Sequence, residues 1–68
     1  MLIKRSFSLA GHRTSVALEA EFWDALEAMA AARGCALAAL VAGIDAARPP
    51  EQPLASSLRV AALLHFHH

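Results

Sequence analysis

Two kinds of side chain in this sequence have the chemistry of a nucleophile. Cys35 follows Gly34 at the predicted start of a helix, where thiols tend to be more reactive. Ser56 and Ser57 place two hydroxyls side by side. Neither group has a histidine or acid nearby in the sequence to act as its base. We therefore expect an inert thiol, a serine that caps a helix, and a protein that is not an enzyme.

Imidazoles are concentrated at the end of the chain, at His65, His67 and His68. An H-x-H-H ending has the chemistry to bind a metal ion, but a frayed terminus or the start of an affinity tag is the simpler interpretation. No clustered Cys/His set with zinc spacing is present in the sequence. No metal site and no cofactor are expected.

The basic residues are concentrated at the beginning of the chain. Residues 1–18 contain Lys4, Arg5 and Arg13 and no acid, although the whole chain has a net charge of zero. Four acids follow directly: Glu19, Glu21, Asp24 and Glu27. A neutral chain is unlike a general polyanion binder, and this uneven placement confines any anion-binding surface to the N-terminal segment.

The composition is unusually apolar for a small chain. Of 68 residues 57% are apolar, and the mean hydropathy is +0.44. A single cysteine allows no internal disulfide, and surplus apolar surface on a small domain is usually buried against a partner. We expect an obligate oligomer. The apolar stretches are shorter than the roughly 20 residues that span a bilayer, and the start is unlike a signal peptide, so a cytoplasmic protein is expected.

Alternating apolar positions predict a strand over residues 13–18 with one buried face. These positions are Thr14, Val16 and Leu18. A weaker alternation precedes them within the N-terminal arm, residues 1–12. There Ala10-Gly11 is either a bulge or bend in one long strand or the turn of a weak hairpin, and the geometry of residues 3–10 stays open.

Helical spacing follows in three segments. A helix over 20–33 is predicted to end at Gly34, and a second helix over 36–48 ends before two prolines. Residues 49–53 read as a stiff linker. The C-terminal segment, 54–68, is predicted to be helical from Ser56 or Ser57. Within it Arg59 is expected to pair with an acid of the second helix or of another chain.

Apolar residues at these spacings predict the core. Phe22 and Trp23 have the chemistry of a stacking platform for single-stranded nucleic acid, but their helical spacing with Leu26 favours a core position. The predicted dimer core comprises Thr14, Val16, Leu18, Phe22, Trp23, Leu26, Leu40, Val41 and Ile44.

A single strand needs a partner for its backbone N–H and C=O groups. The simplest partner is the same strand of a second copy, antiparallel across a two-fold axis. Arg13, Ser15 and Ala17 would then face outward on a two-stranded ribbon. Such a ribbon has the width to enter the major groove of B-DNA.

This order of elements resembles the ribbon-helix-helix family of bacterial DNA-binding proteins. The resemblance is carried by "RTSVALE" for the ribbon, "EAEFWDALEAMAAARG" for the first helix and "CALAALVAGIDAAR" for the second. More narrowly, the chain is similar to a small subfamily with a GHRTS-type strand, an FWDAL-type helix and a later SSALR-like segment. The resemblance implies a mainly α fold with one N-terminal β-strand, forming an intertwined homodimer with an additional C-terminal helix.

The resemblance also implies the binding residues. Arg13, Ser15 and Ala17 match the base-reading positions of the ribbon, with Arg13 suited to guanine O6 and N7. The family clamps a phosphate at the start of the second helix, where this chain has Ala36 and Leu37 and no Ser or Thr. Further phosphate contacts are expected from Lys4, Arg5 and His12.

The resulting hypothesis is a dimeric, nucleoid-associated transcriptional regulator that binds double-stranded DNA in a sequence-specific way, with dimers able to pair on neighbouring half-sites. The alternative is an antitoxin-like or adaptor dimer. It would act mainly through binding of its C-terminal helix to another protein, because "LRVAALLHF" is almost wholly apolar.

Overall fold

The chain begins with a β-hairpin. The computed structural model describes residues 1–66, in which β1 (Leu2–Leu9) pairs antiparallel with β2 (His12–Glu19). The register runs from Leu2 opposite Glu19 to Leu9 opposite His12. The prediction of one N-terminal strand preceded by an arm over 1–12 is therefore wrong. β2 completes one side of its backbone ladder within its own chain and needs no second molecule for that.

A two-residue turn closes the hairpin. Ala10 has φ 50° and Gly11 has φ 82°, and positive values at both central positions are the signature of a type I′ turn. This turn suits the right-handed twist of the two strands. Of the alternatives that the sequence left open at Ala10-Gly11, the hairpin turn is the one observed.

Three helices follow the hairpin: α1 (Ala20–Arg33), α2 (Leu37–Ala47) and α3 (Leu54–Phe66). Gly34 has φ 67° and its N–H bonds back to carbonyls of the last turn of α1, as predicted for a left-handed C-terminal residue. The helices pack pairwise against one another, α2 also contacts β1, and α1 and α3 contact β2. The result is one layer of helices beneath a two-stranded ribbon.

The start of α3 differs from the prediction. Neither Ser56 nor Ser57 caps the helix, because α3 already begins at Leu54. Ser57 is buried in the first turn, where its hydroxyl donates to Gln52 Oε1 over 2.7 Å. Arg48 donates to the Gln52 carbonyl over 2.8 Å. The segment between α2 and α3 is thus a hydrogen-bonded turn that is tied to both helices.

Arg59 pairs with neither of the predicted partners. Its Nε and Nη2 donate to Glu19 Oε1, at the end of β2 in the same chain, over 3.1 and 2.9 Å. Its guanidinium carbon also lies 5.7 Å from the ring centroid of Phe22. The prediction of an acid from α2 or another chain is therefore wrong.

The core lies between the inward face of the hairpin and the helices. Trp23 is 1% exposed, and its ring centroid lies 5.9 Å from that of Phe7. The Trp23 indole N–H donates to the Ile3 carbonyl over 2.7 Å, which ties α1 to β1. The buried apolar residues are Phe7, Leu9, Val16, Leu18, Trp23, Leu26, Met29, Ala30, Leu40, Val41, Leu58 and Ala62.

Apolar surface nevertheless remains exposed at the two ends of the described chain. Leu2 and Ile3 are exposed on β1, and Val60, Leu63, Leu64 and Phe66 are exposed on α3. Among the described residues no single helix has the length and apolar character needed to cross a membrane. α1 and α2 meet those criteria only as a pair bent by 98°.

Candidate nucleic-acid interface

Four cross-strand pairs of the hairpin point away from the helices. Alternation along each strand puts Phe7, Leu9, Val16 and Leu18 on the inward, buried face, so their neighbours face outward. The outward pairs are Leu2 with Glu19, Lys4 with Ala17, Ser6 with Ser15, and Ser8 with Arg13. We call the six residues of the last three pairs the outward face. It carries two cations and three hydroxyls, and the carboxylate at its edge, that of Glu19, is paired with Arg59.

Hydrogen bonds join the strands across two of these pairs. Ser6 Oγ and Ser15 Oγ lie 3.0 Å apart, and either hydroxyl can donate to the other. Arg13 Nη1 donates to Ser8 Oγ over 3.3 Å. All four residues are exposed, so this row of polar groups is available to a ligand.

Arg13, Ser15 and Ala17 therefore share one face, as the alternation predicts, and Lys4 joins them from β1. Ser15 and Arg13 are exposed, and Ala17 is half-buried. The two strands of this ribbon come from one chain, whereas the prediction from the sequence was that the second strand comes from another copy.

Arg5 and His12 lie on the opposite side. Arg5 is opposite Val16 on the inward face, where its guanidinium carbon lies 5.0 Å from the Trp23 ring centroid. Its Nη1 also lies 3.4 Å from Glu27 Oε2. His12 is exposed beside the turn, opposite Leu9. The five polar residues of the hairpin that were predicted to contact DNA therefore lie on two different sides. Lys4, Arg13 and Ser15 share the outward face, and Arg5 and His12 do not.

The start of α2 has the predicted backbone but no capping side chain. Ala36 is the N-cap, with φ −72° and ψ 152°, and it makes no side-chain hydrogen bond to the helix. Its carbonyl accepts from the N–H groups of Ala39 and Leu40. Cys35 and Ala36 are exposed and Leu37 is half-buried. An anion there would meet backbone N–H groups and the positive end of the helix dipole.

The residues predicted as dimer core pack within a single chain. Leu18, Trp23, Leu26 and Val41 are fully buried, and Val16 and Leu40 nearly so. Phe22 and Ile44 are partly buried against the same cluster, and Thr14 is half-buried on the hairpin. Phe22 and Trp23 thus lie in and beside the core and form no exposed stacking platform.

The comparison with known families decides the assignment. The family model described as a ribbon-helix-helix domain matches residues 2–66, which is nearly the whole chain. The chain belongs to the ribbon-helix-helix family. No curated protein and no solved structure gives a significant match. Ribbon-helix-helix domains are generally DNA-binding, regulatory proteins without enzymatic activity, and they typically bind DNA as dimers.

In this ribbon-helix-helix chain, two residues of the outward face were missed at the level of the sequence. Ser6 and Ser8 alternate with the buried Phe7 and Leu9, so the signal for their orientation is present in β1. The sequence leaves the geometry of residues 3–10 open, and a segment of undefined geometry has no defined outward face.

No group of three or more metal-ligating side chains occurs within residues 1–66. Of the H-x-H-H ending, His65 belongs to α3. His67 and His68 lie outside the described residues, so the hypotheses on that ending stay untested.

Proposed function

We propose that this chain binds double-stranded DNA in a sequence-specific way, by laying the outward face of its hairpin in the major groove, and that it acts as a transcriptional regulator. The observation that carries the proposal is the outward face itself. Two cations and three hydroxyls lie on one side of a two-stranded ribbon whose other side carries the buried Phe7, Leu9, Val16 and Leu18.

The dimensions of the ribbon support this proposal. Neighbouring strands are about 4.8 Å apart, and the major groove of B-DNA is about 12 Å wide, so a two-stranded ribbon with short side chains fits. Ser6, Ser8, Ser15 and Ala17 are all short. The longer Lys4 and Arg13 stand at opposite ends of the face, on different strands.

The chemistry supports it as well. Arg13 has the planar donor pattern that matches guanine O6 and N7, and serine hydroxyls can donate to or accept from base edges. Lys4 and the N-terminal end of α2, at Ala36 and Leu37, provide charge and N–H groups for backbone phosphates. The one acid of β2 is Glu19, which lies one outward pair beyond Lys4 and Ala17 and is paired with Arg59.

The test is a selection of bound duplexes from randomised sequences with the full chain, followed by titration of the selected duplex. Arg13→Ala should weaken binding by about 10- to 100-fold, and the preference for guanine at one position should relax. Arg33→Ala removes an equal charge from exposed surface at the end of α1 and serves as the control. Affinity should fall steeply with salt. Absence of duplex binding by the wild-type chain at low salt would contradict the proposal.

We further propose that the chain acts as a nucleoid-associated homodimer, in which each copy presents its own hairpin to one of two symmetric half-sites. The typical behaviour of the family and the exposed apolar residues of α3 support this assembly. Sedimentation of the free protein, and of its complex with the selected duplex, would give the number of copies. A single copy on a single asymmetric site would contradict it.

A second candidate function is binding of another protein through α3. Val60, Leu63, Leu64 and Phe66 are between 43% and 65% exposed on that helix. A groove of about 240 Å³ beside them is lined by Glu21, Phe22, Ala25, Ala62, Leu63 and Phe66. A partner that copurifies with the wild type and is lost from Leu63→Ser would support this candidate, provided that DNA binding is absent.

A further inference from the structure

The outward residues of β1 lie directly beside those of β2. Ser8 lies opposite Arg13 and Ser6 lies opposite Ser15. Side chains of directly opposed residues are about 5 Å apart on the same face of a sheet. A DNA edge that reaches Arg13 or Ser15 therefore also reaches their β1 neighbours.

The hydrogen bond between Ser8 and Arg13 orients the guanidinium of Arg13. Arg13 Nη1 donates to Ser8 Oγ over 3.3 Å, which occupies one of the five donors of that group. The other donors remain for a base or a phosphate. An exposed arginine loses rotamer freedom when it binds, and a side chain that is already oriented loses less.

The contact between Ser6 and Ser15 leaves the centre of the face able to donate and to accept. One hydroxyl donates to the other over 3.0 Å, so the proton of the accepting hydroxyl and the remaining lone pairs are free to point outward. By rotating, the two hydroxyls can donate to an acceptor on a base edge or accept from a donor there. This pair is therefore suited to accommodate base pairs more than to discriminate among them.

We propose that β1 supplies half of the base-contacting surface, with Ser8 as the positioning residue that orients Arg13 toward guanine and Ser6 as a contact of broad tolerance. This inference rests on the proposed function. It adds that specificity at the Arg13 position depends on a hydroxyl from the neighbouring strand of the same chain.

The experiment compares Ser8→Ala, Ser8→Thr and Ser6→Ala with the wild type on the duplex selected by the wild type and on duplexes with each other base at the guanine position. Ser8→Ala should lose about tenfold in affinity for the guanine duplex and little for the others, because only the oriented contact is lost. Ser8→Thr retains a hydroxyl and should restore most of the preference. Ser6→Ala should weaken all four duplexes alike. Ser56→Ala makes the same chemical change on α3 and is the control.

A second measurement on the free protein needs no DNA. The Nε–H resonance of Arg13 should report a more ordered side chain in the wild type and in Ser8→Thr than in Ser8→Ala. If Arg13→Ala abolishes the guanine preference while Ser8→Ala leaves both preference and order unchanged, the positioning role is overturned and the proposed function stands. If the wild type binds no duplex, both are overturned.

Discussion

Arg59 and Glu19 are 40 residues apart in the chain, and two hydrogen bonds of 3.1 and 2.9 Å join the guanidinium of one to a single carboxylate oxygen of the other. Glu19 ends β2 and directly precedes α1, while Arg59 lies in α3. This contact connects the C-terminal helix to the point at which the hairpin becomes helix.

Stability should depend on pH through this carboxyl. A hydrogen bond from the backbone N–H of Glu19 itself, and then the Arg59 guanidinium, lower the pKa of Glu19 below its ordinary value of 4.5. A carboxyl whose pKa is lower in the folded state stabilises that state above its unfolded pKa, and the contribution is lost as the pH falls through the folded pKa. Thermal unfolding should be measured between pH 7 and pH 3. The melting temperature of the wild type should exceed that of Glu19→Gln at neutral pH, and this difference should shrink as the pH falls below 4.5. Glu51→Gln is the control. A difference in melting temperature between the wild type and Glu19→Gln that stays constant with pH would contradict the role of the Glu19 carboxyl.

The packing of β1 can be tested through Phe7. Phe7 is 7% exposed and contacts Trp23, so Phe7→Ala should reduce the free energy of unfolding by about 3–5 kcal/mol, as for other buried aromatic residues. Leu2→Ala changes an exposed residue of the same strand and should cost less than about 0.5 kcal/mol. Urea unfolding followed by circular dichroism measures both. Equal, small effects would show that β1 does not pack on the helices in solution.

The turn offers a stabilising substitution. Ala10 adopts a positive φ of 50°, which most residues other than glycine tolerate poorly and asparagine tolerates well. Ala10→Asn should therefore raise the free energy of unfolding by about 0.5–1 kcal/mol. Gly11→Ala, at φ 82°, should lower it. A neutral Ala10→Asn together with a neutral Gly11→Ala would argue against a type I′ turn.

The N-cap of α2 offers a second stabilising substitution. Ala36 has the extended backbone of an N-cap but no side chain that can accept from the first turn. Ala36→Ser should supply that acceptor and raise the free energy of unfolding by about 1 kcal/mol. Ala38→Ser places the same hydroxyl two residues further along, inside the helix, where it should not stabilise the helix. Similar changes in melting temperature for the two variants would contradict the capping explanation.

The helical part of this fold was readable from the sequence because its signals are local. Phe22, Leu26 and Met29 recur at helical spacing, and Gly34 marks an end that the backbone confirms with φ 67°. The outward orientation of Arg13 and Ser15 followed from the alternation of their neighbours in the same way. Each of these inferences needs only residues within one element.

The hairpin was harder to read because its turn lacks the usual residues. Type I′ turns favour Asn-Gly or Asp-Gly, whereas this chain places Ala10 before Gly11. Exposed Leu2 and Ile3 also weaken the alternation of β1. The partner of Arg59 is a different case, because a contact over 40 residues is fixed by how the helices pack and has no local signal.

The loop at Ala10-Gly11 makes the ribbon covalently continuous. A ribbon assembled from two molecules comes apart when the protein is diluted below the dissociation constant of the dimer, but a hairpin within one chain does not. An isolated copy at nanomolar concentration would still carry its complete outward face. Occupancy of one half-site should then follow a simple hyperbolic binding curve, and any cooperativity would come from contacts between the two copies.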